Sequence, residues 1–147
     1  MLLIAGARKW WTGEIAEVYD SLNCKAAIKF AGRLPASDMK LAMGSALALT
    51  YVSYFEGFGI PIIEAFRSGT PVITSNITSM PEVAGDAAIL VNPFDPEDIC
   101  AAMSTLNESI EKRNALIQAG IKRAQLFTWD KSAEKLWQTV QKVIDEV

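Results

Sequence analysis

The sequence predicts an α/β fold, a Rossmann-like parallel sheet with flanking helices and a helical C-terminus. Up to Val91, short apolar runs alternate with amphipathic segments, an order typical of the strands and helices of a parallel sheet. After Asp95, helical periodicity continues without an intervening strand. Half of the 147 residues are hydrophobic, so we expect a single domain over residues 1–147 with a sizeable core.

Apolar runs and capping residues predict where each element lies. The strands are expected at residues 2–5, 26–31, 47–52, 71–74 and 87–91. Four helices should begin at capping side chains, namely Thr12, Ser37, Asp95 and Thr128. A helix from about 108 to 126 should face the core through Ile117, Ile121 and Ala124, and Trp129 and Trp137 should pack the last helix.

The composition excludes several classes of function. Acidic and basic residues are interspersed, with a net charge of −3, which argues against a nucleic-acid partner. The absence of histidine removes His-based triads and His metal sites. Cys24 and Cys100 lack metal-ligand spacing and are interpreted as small core residues, so we expect no metal and no cofactor. Without a signal peptide or a long apolar run, we expect a cytoplasmic protein, with peripheral membrane contact left open.

One loop and the helix after it carry the candidate chemistry. A predicted strand is followed by Glu56, Gly57 and Gly59, and then by Pro61 in the first turn of a helix. Glycines let a backbone approach a ligand closely, and the free N–H groups of a helix start favour an anion. Glu64, about one turn into the helix, is able to accept hydrogen bonds from a ribose diol. The segment therefore predicts amides for a phosphate and a carboxylate for a sugar.

Both carboxylates also have simpler interpretations. Glu64 is a charge of the kind that the helix macrodipole favours near a helix start. Glu56 is interpretable as a solvated charge in a loop. The glycines, Pro61 and the strand before them favour the ligand interpretation, because they supply the structural context that such a motif requires.

A family resemblance is carried by the run E-G-F-G-I-P-I-I-E, with G-T-P-V-I-T-S behind it. It resembles the donor-binding signature of retaining glycosyltransferases of the GT-B fold, in the group 1 or family 4 class. The resemblance implies that Glu64 contacts the ribose of the nucleotide and that the catalytic Glu56 lies near the transferred sugar. It implies that loop amides contact the sugar hydroxyls and the diphosphate; these belong to Gly57, Phe58, Gly59 and Ile60.

The same resemblance bears on a second turn, between a predicted strand and a predicted helix. In the family, the backbone near this point touches the nucleobase, and the matching residues are Gly32, Arg33 and Leu34. An ordinary strand-to-helix turn is an equal alternative for them.

The implied reaction is transfer of a hexosyl group from a GDP- or UDP-hexose to an acceptor hydroxyl, with retention at the anomeric carbon. Overall similarity to bacterial polysaccharide mannosyltransferases favours mannose from a GDP donor. Two other functions stay open: a non-catalytic module that binds a nucleotide sugar, and a nucleotide-sugar 2-epimerase of the same fold.

The resemblance spans nearly the whole chain but only the C-terminal, donor-binding half of such an enzyme. We therefore expect a fragment that lacks the N-terminal acceptor domain and is inactive alone. The first strand–helix unit is also expected to be missing, so that residues 2–5 match the second strand of a sheet ordered 3-2-1-4-5-6. Because the missing strand is the central one, the incomplete sheet should aggregate or form an oligomer.

Overall fold

The structure is a computed structural model that describes residues 1–7 and 11–146. It divides into two compact units, Met1–Leu41 and Ala42–Val147. The predicted α/β class, with parallel strands and flanking helices, is confirmed. The single domain over residues 1–147 stays a prediction.

The first unit is built around one pair of parallel strands. Its elements are β1 (Leu2–Ala5), α1 (Gly13–Ser21), a 3-10 turn (Lys25–Ala27) and β2 (Ile28–Gly32); α2 (Ala36–Ser45) follows them. The rings of Trp11, Tyr19 and Phe30 meet edge to face with centroids 5.3–5.7 Å apart, a favourable geometry for aromatic rings. All four residues of β1 are exposed.

The second unit holds three parallel strands in the order β3-β4-β5. Its elements are β3 (Leu49–Tyr51), α3 (Ile60–Arg67), β4 (Val72–Ser75), α4 (Met80–Ala84), β5 (Ala88–Val91), α5 (Pro96–Glu108), α6 (Ile110–Ala124) and α7 (Trp129–Asp145). The pairing of β1 with β2, and of β3-β4-β5, agrees with positions 2-3 and 4-5-6 of the expected order. The described strands form two sheets rather than one.

Strand β4 lies between two hydrophobic clusters, and all four of its residues are buried. One cluster joins Val72 to the buried face of α3, where Ile62 and Phe66 are almost fully enclosed. The other joins Ile73 to α5 and α6. Neighbouring residues of β4 enter different clusters because successive strand side chains point to opposite faces of a sheet. Each large buried side chain contributes about 1.5–3 kcal/mol of transfer free energy to stability.

Three of the four predicted caps are confirmed. Thr12, Asp95 and Thr128 each accept a hydrogen bond from a backbone N–H in the first turn of the helix that follows. Ser37 is not a cap, because α2 begins at Ala36 and the Ser37 hydroxyl bonds to the neighbouring carboxylate of Asp38. A polar residue near a helix start indicates the start only to within a residue or two.

Several residues that were expected in the core are exposed. Helix α6 buries Leu116, Gly120 and Ala124, whereas Ile121 is exposed. Cys24 and Cys100 are also exposed, and so are Trp129 and Trp137 of α7. Helical periodicity identifies the apolar side of a helix but does not tell whether another element covers it. None of the described helices is long and apolar enough to cross a bilayer.

The contact of α6 with α3 gives a stability prediction. A Cβ added at Gly120 would lie 2.6 Å from Cδ1 of Phe66, a ring that is almost fully buried. Gly120→Ala should therefore lower the free energy of unfolding, since overpacking a core costs about 1–3 kcal/mol. The matched control is Gly44→Ala in α2, where the added Cβ meets open space. This control should raise the free energy of unfolding by about 0.5–1 kcal/mol.

Denaturant unfolding of the two variants measures the difference. Stabilisation of both variants by the same amount would show that α6 does not approach Phe66 closely.

Candidate functional site

The candidate site is the loop between β3 and α3, at the carboxyl end of a parallel strand. Ligands of open α/β sheets bind at such ends. Gly59 closes the loop with a left-handed φ of 98°, and its carbonyl accepts from Ile62 N at 3.0 Å. A Cβ at Gly59 would lie 3.1 Å from both Ile62 Cδ1 and Met80 Sδ. The fold itself therefore requires glycine at this position.

The loop amides have no hydrogen-bond partner within the described part of the chain. The N–H groups of four consecutive residues donate no hydrogen bond to the described part of the chain; these are Gly57, Phe58, Gly59 and Ile60. A Cβ placed on Gly57 would meet nothing within 4 Å, so the backbone there lies open. These are the residues that the family resemblance implies for contact with the diphosphate and the sugar hydroxyls. Their role in binding stays a prediction.

Buried hydroxyls fix the main chain that leads into the loop. Thr74 Oγ1 donates to Tyr51 O at 2.8 Å, and Ser75 Oγ donates to Ser53 O at 2.6 Å. Both donors are fully buried at the end of β4. Each bond satisfies a buried polar group and ties the end of β3 to its neighbouring strand.

A third hydroxyl holds the loop itself. Ser79 Oγ lies 2.9 Å from Glu56 O and 3.2 Å from Phe58 O, so its single proton is shared between two carbonyls. Ser79 is the N-cap of α4 but caps no N–H of that helix, because its hydroxyl is turned to the loop. We call Thr74, Ser75 and Ser79 the hydroxyl clamp. It was not predicted from the sequence, although two polar residues at the end of a buried strand were a visible signal.

Glu56 is a held carboxylate rather than a freely solvated one. Its Oε1 accepts from Tyr51 Oη at 2.5 Å and from Ser53 Oγ at 3.2 Å, and the residue is half-buried. Among the described residues no group donates to Oε2. No motif in the sequence pointed to Tyr51 or Ser53 as partners of Glu56.

Burial, and after it the hydrogen bond to Glu56, together raise the pKa of Tyr51 to about 12. The phenol therefore stays protonated at neutral pH and acts as the donor in this contact.

Glu64 is exposed on α3 as the fifth residue of the helix. The macrodipole effect is concentrated in the first turn of a helix, and Glu64 lies beyond that turn. No hydrogen bond or ion pair holds its side chain within the described ranges. Its position therefore leaves the carboxylate available to a ligand and weakens the alternative of a helix-start charge. Contact with a ribose stays a prediction.

The other predicted loop residues are exposed at the surface. Ile60 is the first residue of α3 and is exposed. Phe58 is 45% exposed, and its ring meets the ring of Phe127 edge to face at 5.7 Å. Phe127 is fixed in turn, because its carbonyl accepts from Arg67 at 2.6 Å and Arg123 lies over its ring. The loop is thus anchored to the segment between α6 and α7.

The second predicted turn belongs to the unit Met1–Leu41. Gly32 ends β2 with a φ of 65° and accepts from Gly6 N at 2.7 Å; Arg33 is exposed and Leu34 half-buried. The positive φ accounts for the glycine as a turn residue. Contact of these residues with a nucleobase stays a prediction. In the described part of the chain, no three His, Cys, Asp or Glu side chains are grouped to hold a metal.

Comparison with solved structures identifies the fold as that of GT-B glycosyltransferases. The chain matches sucrose-phosphate synthase from Thermosynechococcus elongatus with a TM-score of 0.82 and 24% identity, over 99% of this chain and 39% of the other. Anabaena HepE in complex with UDP and glucose matches with a TM-score of 0.83 and 19% identity, over 95% of this chain and 40% of the other. At these identities the likeness shows the fold alone.

The chain belongs to the group 1 glycosyl transferases, whose family model matches residues 1–123. It is 32% identical over 129 residues to the O-antigen chain mannosyltransferase B of Escherichia coli. That alignment covers 88% of this chain and 34% of the relative. It is 34% identical over 117 residues to the MMP alpha-(1->4)-mannosyltransferase of Mycolicibacterium hassiacum. That alignment covers 76% of this chain and 28% of the relative. The chain thus spans about a third of the length of these relatives.

The two loop glycines should respond differently to substitution. Gly59→Ala forces a side chain into a left-handed backbone and against Ile62 and Met80, so it should lower the free energy of unfolding by about 1 kcal/mol or more. Gly57→Ala should change it by less than about 0.5 kcal/mol, because the new methyl group enters open space.

Chemical denaturation of both variants checks this difference. Equal unfolding midpoints would contradict the loop geometry.

Proposed function

We propose that this chain is the donor-binding half of a retaining group 1 glycosyltransferase that moves a hexosyl group from a nucleoside-diphosphate sugar to an acceptor hydroxyl. The observation that carries the proposal is the loop before α3, where four free amides lie between the held carboxylate of Glu56 and the exposed carboxylate of Glu64. In this proposal the amides bind the diphosphate, Glu56 binds the transferred sugar and Glu64 binds the ribose.

The loop amides and the N-terminus of α3 would bind the diphosphate. Free N–H groups and the positive end of the helix dipole favour an anion, and they are fixed before the leaving group gains charge. The open backbone at Gly57 lets phosphate oxygens come close. In this proposal no metal is required at the diphosphate.

The two carboxylates would divide the remaining recognition. Glu64 accepts hydrogen bonds from the ribose diol, since its oxygens have no other donor in the described chain. Glu56 presents Oε2 to the transferred sugar, while Oε1 is already occupied by Tyr51 and Ser53.

The choice of sugar rests on the relatives. Two curated relatives are named as mannosyltransferases, which supports mannose as the transferred sugar, with GDP-mannose as the donor. Solved structures of HepE hold UDP and UDP-glucose, which supports a nucleotide sugar as the ligand class. An acceptor-binding half would complete the enzyme, because the chain spans about a third of its relatives. A cytoplasmic site of action belongs to the same proposal.

Replacing Glu64 tests the ribose contact. Glu64→Ala in the complete enzyme should weaken binding of the nucleoside diphosphate about ten- to a hundredfold, since a hydrogen bond to a charged group is worth about 1.5–3 kcal/mol. Stability should barely change, because the side chain is exposed and unpaired among the described residues. Calorimetry with GDP and UDP measures the affinity.

Two controls accompany this measurement. Glu134→Ala removes another exposed helical glutamate and should leave the affinity unchanged. Glu56→Ala should impair transfer but leave nucleoside-diphosphate binding nearly intact, because its proposed ligand is the sugar. Equal affinities for the wild type and Glu64→Ala, with both proteins folded, would refute the ribose contact.

A further inference from the structure

We propose that Tyr51 is a positioning residue for Glu56. The Tyr51 hydroxyl fixes Oε1 of Glu56, so that Oε2 of the same carboxylate faces the donor sugar. The inference rests on the proposed role of Glu56. It adds a residue outside the loop motif, on strand β3, and a direction for the carboxylate.

The contact geometry supports this role. Tyr51 Oη lies 2.5 Å from Glu56 Oε1, within the short range of hydrogen bonds from a hydroxyl to a carboxylate oxygen. Ser53 reaches the same oxygen at the longer distance of 3.2 Å. With two donors on one oxygen, rotation of the carboxylate would break both bonds, and the other oxygen stays free for a ligand.

The donor itself is firmly placed. The Tyr51 ring packs against the cluster that contains the buried face of α3, and its carbonyl accepts from Thr74. The phenol is protonated at neutral pH, and its O–H donates to the carboxylate oxygen of Glu56. A glutamate has three side-chain torsions, and without these bonds its carboxylate would sample several orientations.

The structure separates the Tyr51 hydroxyl from the support of the loop. Main-chain groups around Glu56 are held by Ser75 and Ser79, and neither bond involves the phenol. Phenylalanine would keep the buried ring and lose only the oxygen. Tyr51→Phe therefore removes the orientation of Glu56 while leaving the loop backbone in place.

The experiment is a double-mutant cycle in the complete enzyme, with transfer from GDP-mannose and from UDP-glucose as the assay. Tyr51→Phe should lower kcat about ten- to a hundredfold, with donor KM and nucleoside-diphosphate affinity close to the wild type. In a Glu56→Ala background, the same substitution should cause no further loss, because the group that it positions is gone. Tyr54→Phe is the matched control, since that tyrosine is 64% exposed and stacks on Phe94; it should keep wild-type kcat.

The outcomes distinguish the positioning role of Tyr51 from the proposed role of Glu56. A folded Tyr51→Phe enzyme with wild-type kcat, or losses that multiply fully in the double mutant, would overturn the positioning role while Glu56 remains essential. Full activity of Glu56→Ala would overturn the proposed role of Glu56, and the inference with it. A wild-type enzyme that transfers no sugar from either donor would overturn both.

Discussion

The packing of α3 against the β3–β4 pair is the constraint on which the rest of the site depends. Ile62 and Phe66 are almost fully buried between the strands and α6, and Gly120 allows α6 to approach the Phe66 ring. With the helix fixed in this way, the chain turns from β3 into α3 over residues 52–59. Gly59 makes that turn with a left-handed backbone. This packing therefore determines the positions of the free amides and of both carboxylates.

The site is organised before any ligand arrives. The hydroxyl clamp bonds to main-chain oxygens of the loop and of the strand that precedes it, and the carboxylate of Glu56 is held by Tyr51 and Ser53. Such preorganisation matters because groups that need not reorient during reaction stabilise a developing charge most effectively. It also explains why polar side chains are tolerated at the buried end of β4, where each hydroxyl has a partner.

The sequence predicted the fold class, the strands and the loop, because these depend on local signals. Such signals are the alternating apolar runs, and Gly59 and Pro61 at the start of α3. It failed where a contact joins distant segments. The bond from Ser79 to Glu56 spans 23 residues, and no periodicity reports it. The bond from Tyr51 to Glu56 spans only five residues, but it depends on how the loop after β3 folds, and Tyr51 in the sequence is one more residue of an apolar strand. The exposure of Ile121 and Trp137 depends on which elements cover α6 and α7, and a helical pattern does not contain that information.

The central claim is that the loop amides bind the diphosphate of a nucleotide, and nuclear magnetic resonance of the isotopically labelled chain tests it most directly. Titration with GDP or UDP should shift the amide signals of Gly57, Phe58, Gly59 and Ile60 together, even when binding is weak. Inorganic sulfate at equal ionic strength serves as the control for non-specific anion effects. A folded chain whose loop signals stay unchanged at saturating nucleotide, or shift equally with sulfate, would contradict the account.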